Sequence, residues 1–249
     1  MVSEILKNKL LSEKYRPNKI NSSNKLEEII LLPRIKDLIS KDIELSLLFY
    51  GTPGIGKTTI AKAIVQEYDY IEINSSKDTS IDILRNDIES FCSTMSMNTN
   101  HDIKIVYLEE FDRASSAFMD ALKAFMGDYS NNIRFIATTN NISKIPPALL
   151  SRFTSVNFNI EDAEEKKWLQ KEIANRLLLI SENENIKITK KDISGIVLNR
   201  FPDMRYMLND LQVIKLTNHT KTKIGLEQTL SDQLFNLILS PTTTENTYN

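Results

Sequence analysis

Apolar positions follow two rhythms along the chain. In the first part, short apolar runs bounded by polar residues predict buried strands: LSLLFY at 45–50, IKIVYL at 103–108 and IRFIAT at 133–138. YIEIN at 70–74 and SVNFNI at 155–160 predict two further strands. Between them apolar residues recur at helical spacing. Ile60, Ala63, Ile64 and Tyr68 mark a helix over 57–68. Ile81, Leu84, Ile88 and Phe91 mark another over 80–93, and a third is predicted over about 114–126. Strand–helix alternation implies a parallel sheet with right-handed crossovers and helices on both faces. After Ile160 the rhythm becomes helical throughout. Residues 161–180 open with acidic residues and carry Leu169, Ile173, Leu177 and Ile180 on one face, and 190–201 and 202–216 continue the pattern. Pro202 and Asp203 are expected in the first turn of that last helix. The division expected is an α/β domain over 1–160, an all-helical domain over 161–220, and a short C-terminal helix and frayed tail over 221–249.

Composition narrows the class. A chain of 249 residues with 41% hydrophobic and 26% charged residues has the make-up of a globular protein. The net charge of −2 gives no global attraction to nucleic acid, so any such contact would need a local patch. A single cysteine, Cys92, excludes an internal disulfide and suits a reducing cytoplasm. The sequence shows no apolar run of membrane-spanning length, and its beginning does not read as a signal peptide. No membrane partner is expected.

The sharpest chemistry lies in GTPGIGKTT, residues 51–59, which joins the strand at 45–50 to the helix at 57–68. It fits G-x-x-x-x-G-K-[ST] at Gly51, Gly56, Lys57 and Thr58, with Thr52, Pro53, Gly54 and Ile55 inside the loop and Thr59 after it. Glycines let successive N–H groups turn inward into an anion nest at a helix N-terminus. Lys57 would reach the β- and γ-phosphates of a nucleotide, and the Thr58 hydroxyl would ligate Mg²⁺. A second element follows the strand at 103–108, which delivers Glu109 and Glu110 at its C-terminal edge, where open α/β sheets bind ligands. The first carboxylate would hold the Mg²⁺ shell and the second would orient the attacking water. Taken alone, the two acids read equally well as a solvated strand end. Beside a phosphate loop they converge on one edge.

These motifs stand in order with several others: EKYRP (13–17), SIDILR (80–85), LEEFDRAS (108–115), ALKAFMGDYS (121–130), ATTN (137–140), PPALLSRF (146–153) and PDMRYMLNDLQ (202–212). Over residues 13–212 the chain resembles AAA+ ATPases, specifically the small subunits of sliding-clamp loaders. It is similar to replication factor C small subunits and closer still to the clamp-loader ATPase of T-even-type phages, which hints at viral DNA replication. The resemblance implies an AAA+ P-loop domain with a parallel sheet, followed by a small helical lid. It also implies ATP and Mg²⁺ as cofactors. The implied partners are other clamp-loader subunits in a homo- or hetero-oligomeric spiral or ring, a sliding clamp, and primer-template DNA.

Residue roles carry over with the motifs. Tyr15, Arg16 and Pro17 would line the adenine pocket, with Leu31 on its far side. Asn140 would act as sensor 1 near the γ-phosphate. Arg152 would be an arginine finger acting on the neighbouring subunit's ATP, and Arg205 would be sensor 2 on the lid; a planar, permanently charged guanidinium suits both tasks. Lys77, Ser80, Arg85, Arg113, Ser115 and Ser116 would flank the helix N-termini that track the DNA backbone. A solvated amphipathic helix is the other reading of the 80–93 segment. Three substitutions stand out, Glu109 where the family presents aspartate and Lys123 and Gly127 where it presents arginine and glutamate, and no collar domain is expected after the lid. The function expected is therefore a DNA- and clamp-stimulated ATP hydrolase. The alternatives are a nucleotide-binding AAA+ scaffold with weak hydrolysis, or another AAA+ DNA motor such as a branch-migration helicase.

Overall fold

A computed structural model of the chain describes residues 10–17, 32–35, 45–77, 82, 84–94, 103–129 and 131–217, with the side chains of 84 and 85 outside that description. Leu31 and Ser80 lie outside the described residues, as does the segment expected at 221–249. The chain divides into two compact units, one over residues 17–159 and one that joins residues 160–249 to residues 1–16. The N-terminal segment expected in the α/β domain thus belongs with the helical unit.

The first unit is built on a five-stranded, wholly parallel sheet with strand order β2-β3-β4-β1-β5. Its strands are β1 (Leu47–Tyr50), β2 (Asp69–Asn74), β3 (Lys104–Glu109), β4 (Ile133–Thr139) and β5 (Thr154–Asn157). β1, β3 and β4 are buried along almost their whole length, which is why they read as unbroken apolar runs rather than alternating ones. One face is covered by the helix Ser116–Asp128, whose Phe118, Met119, Leu122 and Met126 pack with Leu48, Val106, Leu108, Phe135 and Ala137 of the sheet. The helix Lys57–Val65 packs on β1, β3 and β4. Its Lys62 lies over the ring of Tyr107, which by strand alternation faces away from Val106 and Leu108.

Several boundaries differ from expectation for local reasons. The Lys57–Val65 helix stops short of 68 because Glu67 and Tyr68 close a tighter turn onto Ile64 and Val65. The helix expected over 114–126 begins at Ser116, with the Ser115 side chain accepting the Phe118 N–H at 3.2 Å. Such a cap is worth about 1 kcal/mol. In the 80–93 segment the described chain forms a π-helical turn, Leu84–Ile88, running into the short helix Glu89–Ser93. The Lys104 ammonium closes that segment, donating to the Phe91 and Thr94 carbonyls and the Thr94 hydroxyl. β5 ends at Asn157 because the Asn157 side chain accepts the Asn159 N–H at 2.9 Å and turns the chain.

In the helical unit, α1 (Leu11–Lys14) packs on α8 (Met204–Thr217) beside α6 (Ala163–Asn183) and α7 (Lys190–Arg200); α2 to α5 denote Lys57–Val65, Glu89–Ser93, Ser116–Asp128 and Pro147–Leu150. Leu169, Ile173, Leu177 and Ile180 are buried as their spacing predicted. α6 is capped by Asp162, which accepts from Glu164 and Glu165 N–H, and α7 by a reciprocal Thr189–Asp192 box. Pro202 and Asp203 precede α8 instead of forming its first turn: the Asp203 carboxylate accepts the Arg205 and Tyr206 N–H groups at 3.0 and 3.2 Å, so it caps the helix from outside. Among the described residues no helix is long and apolar enough to cross a membrane.

Candidate functional site

All five strands end on the same edge, and the direction of chain travel reverses at β1: β2, β3 and β4 lie to one side of it and β5 to the other. The loop after β1 therefore opens at the point where ligands bind in such sheets. Gly51, Gly54 and Gly56 have φ of 146°, 76° and 101°. At Gly51 a Cβ would lie 3.0 Å from Asn159 Oδ1, the atom that accepts the Thr52 N–H at 2.9 Å. Any side chain there would both strain the backbone and push Asn159 off the loop. Gly56 forms the N-cap of α2 in the left-handed region, with nothing within 4 Å of where a Cβ would stand. That opening is the space a phosphate cradle needs.

Lys57 begins α2 and is buried, at 6% exposure. Its ammonium donates to the carbonyls of Gly51 at 2.7 Å and Thr52 at 2.8 Å, so it is held inside the curl of the loop. Thr58 follows at the second position of α2, and Lys62 lies one turn further on the same side. Lys62 bridges the Glu72 carboxylate at 2.8 Å and the Glu109 carboxylate at 3.3 Å. Burial works against the Lys62 charge, but the hydrogen bond it donates to Glu72 and the charge of Glu109 outweigh it and hold its pKa above the ordinary value. This bridge joins the phosphate-loop helix to β2 and β3.

Glu110 follows β3 in the left-handed conformation, with φ of 54°. Its N–H donates to the Thr138 hydroxyl at 3.3 Å, and its carboxylate pairs with Arg113 at 3.2 Å. Glu109 and Glu110 thus point to different cations. Asn140 leaves the end of β4 exposed, its N–H donating to the Asp112 carboxylate at 3.2 Å. The Tyr107 phenol sits two residues before Glu109 on β3, fully buried, with its hydroxyl unbonded among the described residues. Burial first, and the Glu109 charge second, push its pKa up.

Residues 47–160 match the family model "ATPase family associated with various cellular activities (AAA)". The chain is 32% identical over 231 residues to the replication factor C small subunit of Sulfolobus acidocaldarius, covering 88% of this chain and 68% of that protein. The chain belongs to the replication factor C small subunit family. It is also 32% identical to the small subunit of Methanococcus maripaludis, over 85% of this chain and 66% of that protein. To the probable replication factor C subunit 5 of Dictyostelium discoideum it is 33% identical, over 83% of this chain and 59% of that protein. The chain spans 59% to 68% of the length of these three relatives. Among solved structures, the Thermotoga maritima RuvB Holliday junction branch migration motor aligns with a TM-score of 0.60 at 15% identity, over 90% of this chain and 72% of that one. That likeness shows the fold, a parallel sheet with a helical region after it, and nothing narrower.

The remaining residues expected from the replication factor C resemblance fall in several places. In the α/β unit, Arg152 is exposed just after α5, its Nη1 lying 3.5 Å from where a Cβ on Gly127 would sit. Arg113 is exposed and tied to Glu110, Ser115 caps α4, Ser116 starts it, and Lys77 is exposed after β2. Arg85 lies within the π-helical turn by its backbone. In the helical unit, Arg205 is exposed at the start of α8. The Tyr15 hydroxyl donates to Glu184 at 2.7 Å, and Arg16 lies 4.0 Å from Glu13. Burial, then that bond to Glu184, pushes Tyr15 up to about 12. Sequence reasoning missed Lys62, Asn159, Tyr107 and Glu184. The spacing of Lys62 from Thr58, and of Tyr107 from Glu109, held the only signal.

The donor set suits a magnesium-bound nucleotide. No cluster of three or more His, Cys, Asp or Glu that could hold a metal occurs among the described residues. A hydroxyl, one carboxylate and the ligand's own phosphate oxygens are how Mg²⁺ is commonly held.

Proposed function

We propose that this chain is an ATP-hydrolysing subunit of a sliding-clamp loader. ATP binding by the assembly would open a ring clamp and grip primer-template DNA, and hydrolysis would release the closed clamp. The observation that carries this reading is the meeting of the phosphate-loop helix and the end of β3, through Lys62 and Glu109 at 3.3 Å, in a chain of this family.

In this reading the loop from Gly51 to Thr59 binds the phosphates, with Lys57 leaving its carbonyl partners for the β- and γ-oxygens. Thr58 and Glu109 hold Mg²⁺, which neutralises charge on the phosphates. Glu110 orients the attacking water once it parts from Arg113, and Asn140 senses the γ-phosphate. Tyr15, Arg16, Pro17 and Leu31 serve the adenine, and Arg205 reports the nucleotide to the lid. Arg152 serves the neighbour's site. Lys77, Ser80, Arg85, Arg113, Ser115 and Ser116 meet the DNA backbone, which positions the protein without reading sequence. A scaffold that binds nucleotide and hydrolyses little is the second reading. It is favoured by one fact: both carboxylates at the end of β3 are already in ion pairs.

Steady-state hydrolysis with and without primed DNA and the cognate clamp separates the two. The enzyme reading expects stimulation by both ligands. Lys57→Ala should lose ATP binding, because it removes the principal phosphate cation. Glu110→Gln should bind ATP and fail to turn it over. A parent rate that DNA and clamp leave unchanged would favour the scaffold, and equal loss of affinity in both variants would contradict the separate roles.

A further inference from the structure

Tyr107 is an odd residue to find inside this site. It occupies β3, a strand buried on both faces, where an aliphatic side chain would fill the space without a polar atom. Its ring lies under Lys62 of the phosphate-loop helix, 6.0 Å from the ammonium to the ring centroid. It shares its face of β3 with Glu109, two residues on, and pairs in register with Glu72 of β2. The hydroxyl end has two hydroxyl neighbours, Thr58 on α2 and Thr138 on β4, each near enough for a weak hydrogen bond that draws the phenol's pKa down against burial. Neither reaches full hydrogen-bond geometry with it, and the atom is sealed from solvent. Thr138 in turn accepts the Glu110 N–H at 3.3 Å.

A buried hydroxyl without a partner is costly, and few are kept in native proteins. This one lies between the side chain expected to ligate the metal and the hydroxyl that holds the backbone of the water-orienting glutamate. When a threonine oxygen gives its lone pair to a cation, its O–H becomes a stronger donor and needs an acceptor on the side away from the metal. In a site closed by β3, β4 and α2, the phenol oxygen of Tyr107 is the group positioned to accept it.

We propose that Tyr107 is a positioning residue for the nucleotide-metal end of the site: its oxygen accepts the Thr58 O–H and its own O–H donates to Thr138, so that filling the site completes a hydrogen-bond chain from α2 across to Glu110. This rests on the reading of Thr58 as a metal ligand. Binding of the metal-bound nucleotide tightens both links of that chain. Tyr107 touches neither nucleotide nor metal; it acts through Thr58 and Thr138. Losing such an outer partner commonly costs about 10- to 100-fold in metal affinity.

The test is Tyr107→Phe in the full chain, which removes one oxygen and keeps the ring. Thermal unfolding without nucleotide should occur at or above the parent temperature, because an unbonded hydroxyl has left the interior. Affinity for a fluorescent ATP analogue in EDTA should match the parent. The Mg²⁺ concentration that half-maximally tightens binding of that analogue should rise about 10-fold. A Mg²⁺ titration that overlays the parent overturns the proposal. So does a lower unfolding temperature with a parent-like Mg²⁺ response, since the hydroxyl would then serve packing alone. If the parent itself fails to bind the analogue, the reading of the whole site falls and the proposal falls with it, an outcome distinct from a change confined to Tyr107→Phe.

Discussion

Glu109 stands at the end of β3 with one methylene more than an aspartate, and that length carries its carboxylate to within 3.3 Å of the Lys62 ammonium. Shortening it to aspartate should loosen that pair and leave the carboxylate to the metal. Glu109→Asp is therefore expected to keep or raise the Mg²⁺-dependent rate of hydrolysis, and Glu109→Ala to lower it severely. A Glu109→Ala variant that hydrolyses ATP as the parent does would remove Glu109 from the metal site. Lys57, Thr58 and the two glutamates were legible in the sequence because a loop motif and a strand end fix them by local spacing. Lys62 and Tyr107 were not. Their place in the site depends on which helix lies over which strand, and no spacing within one element states that. Asn159 was hidden for a related reason: its partner is the N–H of Thr52, more than a hundred residues away.

Among the elements, α1 is the one whose position the sequence misassigned, since a four-residue helix carries too few apolar positions to say what it packs on. Leu11 is buried, its N–H donating to the Gln212 side chain on α8 at 3.0 Å. The stronger tether is Glu184, just beyond α6, which accepts from Lys14 at 2.6 Å, from Lys215 at 2.6 Å and from Tyr15 at 2.7 Å. The bonds from Lys14, Lys215 and Tyr15, in that order, hold the Glu184 carboxyl down at about 2. A carboxyl lowered in the folded state adds stability that is complete above its unfolded value near 4.5 and is lost as the pH falls toward 2. The parent should lose thermal stability through that window, and Glu184→Gln should show a shallower loss there together with faster amide exchange over residues 11–16. An unchanged pH slope in Glu184→Gln would mean that Glu184 does not tether the segment. The longer helices were legible because Leu169, Ile173, Leu177 and Ile180 make a continuous face. The short turns at 84–88 and 111–113 follow tertiary packing and left no such mark.

Across the molecule, parallel strands deliver the phosphate loop, Glu109, Glu110 and Asn140 to one edge of the sheet, and Arg152 stands exposed beyond α5, with its guanidinium beside Gly127. A glycine at 127 offers that guanidinium no carboxylate, and none of the described residues forms an ion pair with it. An exposed arginine with no ion pair among the described residues suits a finger given to another subunit, where it would stabilise charge that develops in the transition state, an effect worth roughly 10³ to 10⁵ in rate. Alternation of strands and helices made the parallel sheet and the helical region readable in advance. The sharing of a site between copies of the chain is a property of an assembly, and it is best tested by mixing subunits. Glu110→Gln carries a dead site and an intact finger; Arg152→Ala carries the reverse. Each alone should bind ATP and show little hydrolysis stimulated by DNA and clamp. Mixed, with sedimentation confirming that they assemble, they should recover a substantial part of the parent's stimulated rate, because a Glu110→Gln subunit can complete the live site of an Arg152→Ala neighbour. A mixture that assembles yet hydrolyses no faster than its inactive parts would contradict a site completed in trans.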